Sequence, residues 1–133
     1  MRLLLPLIFL SFLACQPDDR VTPGEILGTW RLTEVYLDPG DGSGDFMPAD
    51  YDRTLTFYPD STYHADPPIV SIFDRDGAAG IGHYSPGRAT IDPTHGTSNS
   101  AYPYTVDGLT LTINYWCFEG CAERYVKVRD GAD

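Results

Sequence analysis

Much of the chain after residue 20 consists of short runs of strand-forming residues, several of them alternating apolar with polar and separated by turn signals, while residues 66–100 are rich in Gly, Pro and Asp. The clearest signal is Asp107-Gly108, which separates residues 102–106 from residues 109–115. An Asp-Gly pair between two alternating runs is a strong indicator of a β-hairpin. No helical period of useful length occurs in this part of the sequence. The pattern therefore predicts an all-β, antiparallel domain.

The turn signals divide the chain into eight or nine short strands joined mostly by hairpins. A small antiparallel meander must remove its exposed edges, so we expect it to close into a barrel or to fold into a sandwich. Residues 38–50 are expected to form a loop at the rim. The predicted strands are 26–37, 53–58, 62–65, 69–73, 81–84, 88–91, 102–106, 109–115 and 122–129.

The first fifteen residues have the layout of an export signal. Arg2 precedes an apolar run that ends at Ala14-Cys15. The run spans about a dozen residues, whereas a transmembrane helix needs roughly 20, and it lacks the polar face that a core helix would carry. An ordinary cleaved secretory signal has this layout too.

The junction at Ala14-Cys15 resembles a bacterial lipobox. The resemblance implies a lipoprotein signal peptide over residues 1–14, acyl chains on Cys15, and an acidic tether over residues 15–23. We then expect an outer-membrane-anchored lipoprotein on the periplasmic or cell-surface side, held by its lipid. The acidic tract 16–19 resembles a surface-export signal, and a plain solvated tether explains it equally well.

The remaining sequence, 24–130, is the size of one domain. The formal net charge of the chain is −10, and no basic patch could neutralise phosphates. Nucleic-acid binding is therefore not expected, nor is electrostatic adhesion of the domain to anionic lipid.

Two cysteines remain as a pair if Cys15 is acylated. Cys117 and Cys121 flank residues 118–120 between two predicted strands. A hairpin loop with glycine in the left-handed position would bring them within disulfide reach. A Cys-x-x-x-Cys metal or redox site, completed by a distant histidine, and a pair of free thiols are the alternatives.

Several motifs, taken in order, resemble the lipocalin-like domains of small bacterial lipoproteins. They are the Gly-x-Trp opening at Gly28-Thr29-Trp30, the run 55–63, the Asp107-Gly108 hairpin, and the aromatic-valine-base run 125–128. The resemblance covers roughly residues 24–130 and implies a lipocalin-like, up-and-down barrel of about eight strands. It also implies that Trp30 closes one end and that Arg124 or Arg129 lies across its ring as a cation–π partner.

In such a barrel, a pocket would have its floor at Trp30 and its mouth at the opposite end. Strand alternation defines the residues that would line it. We expect a small apolar or amphipathic ligand; the alternative is a protein-interaction or envelope-stress lipoprotein with a filled interior and an unknown partner. The candidate pocket residues are Trp30, Leu32, Tyr36, Leu55, Phe57, Leu111, Ile113 and Tyr115.

The sequence contains no recognisable catalytic motif. The sequence has no nucleophile elbow, zinc-protease helix or phosphate loop, so an enzyme is not expected and no cofactor is implied. The aspartates of residues 38–45 and 74–77 do not match the spacing of a calcium loop, so no metal site is predicted.

Overall fold

The computed structural model of the chain describes residues 24–94 and 100–131, and the regular structure in them is entirely β. Paired strands are all antiparallel. The all-β, antiparallel prediction is confirmed. The strands are β1 (Gly28–Leu37), β2 (Asp45–Pro48), β3 (Thr54–Phe57), β4 (Thr62–Asp66), β5 (Gly80–Ser85), β6 (Thr90–Ile91), β7 (Tyr102–Asp107), β8 (Thr110–Tyr115) and β9 (Cys121–Arg129).

The predictions for the N-terminal region concern residues that the structure does not describe. The signal peptide over 1–14, the acylated Cys15 and the tether over 15–23 all lie outside the described residues. These assignments therefore stay predictions. Among the residues that are described, no helix is long and apolar enough to cross a membrane.

The sheet closes on itself. From β1 through β3 to β9 the strands lie in chain order, and β1 also pairs with β9, from Thr29 opposite Arg129 to Leu37 opposite Cys121. The closed wall contains β1 and β3 to β9, which makes eight strands. Closure pairs the backbone N–H and C=O groups that the two edge strands of an open sheet would leave unpaired. The prediction of an up-and-down barrel of about eight strands is confirmed, and a sandwich is not formed.

The remaining strand, β2, is outside the closed wall and pairs with the same edge of β1 as β3 does. It pairs with residues 34–37 of β1, whereas β3 pairs with residues 28–31. The sequence predicted a loop over 38–50, and this is wrong for residues 45–48. A hairpin forms because Phe46 packs against Tyr36 across the strand pair, with ring centroids 5.4 Å apart.

The two ends of the barrel differ. One end, here called the Trp30 end, carries the tight turns 58–61, 86–89 and 108–109; the other, the loop end, carries the longer connections 38–44, 67–79 and 116–120. The amide of Gly24 donates to the carbonyl of Gly108 at 2.8 Å. The described chain therefore enters the barrel at the Trp30 end.

The connection 67–79 folds over the loop end. Residues 69–73 were predicted as a strand, and this is wrong, because Pro67 and Pro68 lack the amides that a sheet ladder needs. Ile69 and Ile72 are buried in the core instead. The Ile69 carbonyl accepts from the Thr94 amide at 2.7 Å, which fixes this segment in place.

Candidate binding site at the loop end

Trp30 forms the floor of the barrel. It is fully buried, and its indole nitrogen donates to the Ile26 carbonyl at 2.7 Å. The base over its ring is Lys127, whose Nζ lies 5.5 Å from the ring centroid and donates to the Glu25 carbonyl at 3.0 Å. Lys127 also pairs with Asp130 at 3.1 Å.

Neither arginine proposed for this position lies over Trp30. Arg124 is on the outer surface, 3.5 Å from the centroid of Phe46 and 2.7 Å from a carboxylate oxygen of Glu34. Arg129 is exposed at the end of β9. For Arg124 the cause is strand alternation: Glu123 and Tyr125 face inward, so Arg124 between them faces outward.

Most of the candidate pocket residues face the interior as predicted, and all of these are buried. They are Trp30, Leu32, Leu55, Phe57, Leu111, Ile113 and Tyr115. Tyr36 is the exception. The pairing of β1 with β9 is irregular between Leu32 and Glu34, so that Val35 faces inward opposite Glu123, and Tyr36 faces outward opposite Ala122.

A buried ion pair occupies the interior near the loop end. Arg53 Nη1 lies 2.5 Å from Glu123 Oε1, and both side chains are fully buried. The hydroxyls of Tyr51, Tyr115 and Tyr125 also donate to the Glu123 carboxylate. Burial, followed by the negative charge of Glu123, holds the pKa of Tyr115 and Tyr125 well above its ordinary value.

Arg53 also reaches the segment above it. Its Nη2 donates to the Asp74 carbonyl at 2.6 Å. Its Nε is buried and has no hydrogen-bond partner among the described residues. Sequence reasoning missed this network. The inward alternation of Tyr125 and Lys127 in β9 would have placed Glu123 inside, and the base that neutralises it could not be identified from spacing.

Buried side chains line the interior from floor to rim. Trp30 at one end and Ile69 and Ile72 at the other belong to the same cluster of buried side chains. All of the predicted pocket residues except Tyr36 are part of that core.

An open cleft lies instead on the outside of the loop end. Its volume is about 360 Å³. Three of its aromatic side chains are exposed: Phe73 by 71%, Trp116 by 66%, and Phe118 completely. We call it the aromatic cleft, and it is lined by Leu37, Asp38, Phe73, Trp116, Cys117, Phe118, Glu119, Gly120 and Cys121.

The loops that form the aromatic cleft are tied to each other and to the barrel. Cys117 and Cys121 form a disulfide with their Cα atoms 5.8 Å apart, as predicted. The Asp38 amide donates to the Gly120 carbonyl at 3.1 Å. Trp116 Nε1 donates to the Ala101 carbonyl at 3.1 Å. The aromatic rings are thus presented on cross-linked loops.

The cleft has two carboxylates on its wall, and no lysine or arginine is among its lining residues. Asp38 accepts from the amides of Gly40 and Gly42 at 2.8 and 3.1 Å. The hydrogen bond from Gly40 lowers the pKa of the Asp38 carboxyl. A Cβ placed on Gly40 would lie 2.7 Å from Glu119 Oε1, so the Glu119 carboxylate rests against this turn.

In the part of the chain that the structure describes, no group of three or more His, Cys, Asp or Glu is placed to hold a metal ion. The lining of the aromatic cleft offers apolar contact and negative charge to a ligand. Comparison of the chain with protein-family models, with curated proteins and with solved structures finds no match.

Proposed function

We propose that the protein is an exported lipoprotein with a lipocalin-like barrel, anchored to the outer membrane through Cys15, that binds a partner protein at the aromatic cleft. On this proposal the barrel interior is a filled scaffold and binds no small molecule. The observation that carries it is the contrast between the exposed Trp116 and Phe118 and a core with buried side chains from Trp30 to Ile72.

Exposed aromatic side chains that share one cleft favour a binding surface. Soluble proteins rarely expose large contiguous apolar patches without a function. Tryptophan and other large rings are also enriched among the residues that dominate protein–protein affinity. The disulfide limits the freedom of the loop that carries Trp116 and Phe118, which reduces the entropy lost on binding.

The position of the proposed anchor supports a partner beyond the membrane that holds the protein. The described chain enters at the Trp30 end, and the aromatic cleft lies at the opposite end. β1 has ten residues and so spans about 33 Å. The nine residues that follow Cys15 up to Gly24 reach at most about 30 Å when fully extended. The cleft would therefore point away from the anchoring membrane.

Site-specific photo-crosslinking in the native host tests this function. A photoreactive phenylalanine at position 118 is expected to give a discrete protein adduct. The same group at Ile81, which is 67% exposed on the outer barrel wall, is the matched control and should give none. Adducts of equal yield at both positions, or no adduct at position 118, would overturn the proposal.

A small amphipathic ligand in the same cleft is the second candidate. A volume of about 360 Å³ falls within the range of small-molecule sites. Native mass spectrometry of the chain from residue 15 onward, carrying Cys15→Ser and purified without detergent, distinguishes the cases. A co-purified molecule lost in Trp116→Ser would favour this candidate. A molecule retained in that variant would indicate a ligand inside the barrel.

A further inference from the structure

We infer that the aromatic cleft recognises a positively charged side chain, arginine or lysine, flanked by apolar residues in an exposed segment of the partner protein. The inference rests on the proposed function and names the chemistry of what binds. It follows from three properties of the cleft: open ring faces, a negative wall, and the absence of a base from its lining.

The ring faces of the cleft are free to accept a cation. Elsewhere in the described part of the chain, three rings are covered by the protein's own bases. Arg53 and Arg75 lie over Tyr51, Arg124 over Phe46, and Lys127 over Trp30. No such contact occurs at Phe73, Trp116 or Phe118 in the described residues. A cation over Trp116 would gain the attraction that an indole face offers best among the aromatic rings.

The negative wall gives the cleft its charge preference. Asp38 and Glu119 lie on the rim that joins the turn at Gly40 to the disulfide loop. The Asp38 carboxylate accepts from two backbone amides, which hold it in place, and Asp38 lines the cleft. With no base in the lining, an incoming cation meets attraction from both carboxylates and no repulsion inside the cleft.

The same charges argue against a lipid surface as the occupant. Exposed tryptophan and phenylalanine can insert into a bilayer interface, but such surfaces usually combine them with lysine and arginine. Anionic lipid would be repelled by Asp38 and Glu119, within a chain whose formal net charge is −10. The cleft also lies at the end opposite Gly24, away from the proposed anchor.

Fluorescence titration with matched peptides tests the inference. The protein is the chain from residue 15 onward with Cys15→Ser, and Trp116 supplies the signal because it is exposed whereas Trp30 is buried. The probes are acetylated, amidated Leu-Arg-Leu, Leu-citrulline-Leu and Leu-Glu-Leu. Citrulline keeps the shape of arginine and removes its charge. Trp116→Phe retains the emission of Trp30 and should remove the change on adding peptide, so it is the control for the origin of that change.

We expect the arginine peptide to bind at least about tenfold more tightly than the citrulline peptide, and the glutamate peptide to bind least. Glu119→Gln should reduce the difference between arginine and citrulline, while Glu25→Gln, at the Trp30 end, should not. Raising the ionic strength from about 0.01 M to 0.15 M should weaken arginine binding, because the Debye length falls from about 30 to 8 Å.

Equal affinity for arginine and citrulline, or no binding of any peptide up to about 10 mM, would overturn the inference. Tighter binding to vesicles of phosphatidylglycerol than to the arginine peptide would overturn it in favour of a membrane. If crosslinking at position 118 still gives its adduct, the proposed function stands and only the cationic preference fails. If that adduct is also absent, both fail.

Discussion

Arg53 and Glu123 meet inside the barrel as a fully buried ion pair, with Nη1 and Oε1 2.5 Å apart. A buried charge is tolerated only when it is paired and hydrogen-bonded. Glu123 has three tyrosine hydroxyls in addition to the guanidinium, and Arg53 has the Asp74 carbonyl. The pair therefore links the wall strand β9 to the segment that covers the loop end.

Removing one partner of this pair should destabilise the fold strongly. Glu123→Leu leaves the Arg53 charge buried without its carboxylate, and we expect a loss of about 3–5 kcal/mol in the free energy of unfolding. The double variant Arg53→Met/Glu123→Leu should recover much of that loss, because no buried charge remains. Urea denaturation measures both. A single-variant loss below about 1 kcal/mol would contradict the prediction.

Stability should fall at alkaline pH because of the buried tyrosines. The folded-state pKa of Tyr115 and Tyr125 is raised by burial and by Glu123. Their contribution is fully present below the unfolded pKa of about 10, and it is lost as the pH rises from there towards the raised folded-state pKa. In that window, each tyrosine lowers the free energy of unfolding by about 1.4 kcal/mol per pH unit.

Thermal or urea unfolding between about pH 9 and 11.5 checks this slope. Tyr125→Phe should remove one tyrosine's share of it, whereas Tyr58→Phe, at an exposed position, should leave it unchanged. A stability that stays flat across the window would rule out the mechanism.

Gly82 should not tolerate a side chain. A Cβ at this position would lie 2.5 Å from the ring of Tyr63, which is fully buried and cannot move aside. We expect Gly82→Ala to cost about 1–3 kcal/mol through overpacking. Gly87→Ala is the control, since nothing lies within 4 Å of its Cβ, and it should change stability by less than about 0.5 kcal/mol. Equal effects in urea denaturation would show that Tyr63 does not fill this space.

Loss of the disulfide should affect binding more than folding. Cys117 and Cys121 close a loop of five residues, so little chain entropy is removed and a stabilisation of about 1–2 kcal/mol is expected. Cys117→Ser/Cys121→Ser should therefore remain folded by circular dichroism but lose the crosslink at position 118, because Trp116 and Phe118 are no longer held. An unchanged crosslink yield would show that binding at the aromatic cleft does not depend on the disulfide.

Acylation is the test of the anchor. Labelled fatty acid should be incorporated in the native host, and Cys15→Ser should abolish incorporation. Asp18→Ala/Asp19→Ala should leave labelling intact but reduce access of added protease at the cell surface. Labelling that survives Cys15→Ser would refute the lipoprotein assignment.

The local pattern of the sequence was enough to predict most strands and the antiparallel meander, and the family resemblance favoured a barrel over a sandwich. Alternation placed Leu55, Phe57, Leu111 and Ile113 on the inner face, where they lie. The spacing of Cys117 and Cys121 between two predicted strands also predicted their disulfide.

The sequence-based predictions were wrong where the strand register changes, or where packing between distant residues determines the position of a side chain. The irregularity after Leu32 reverses the face of Tyr36, and no local residue marks it. The base over Trp30 was assigned to the arginines rather than to Lys127, although alternation in β9 favours Lys127. The aromatic cleft was missed because it joins loops from distant parts of the chain.

The short strand β2 has a consequence for how copies of the protein behave at high concentration. It pairs with β1 alone, so it leaves one row of backbone groups open on an otherwise closed wall. Such a row is a template for cross-molecular pairing and fibril growth. β2 has only four residues and ends in Pro48, and Phe46 is covered by Arg124 and Tyr36. This template is too short and too well capped to recruit a second chain.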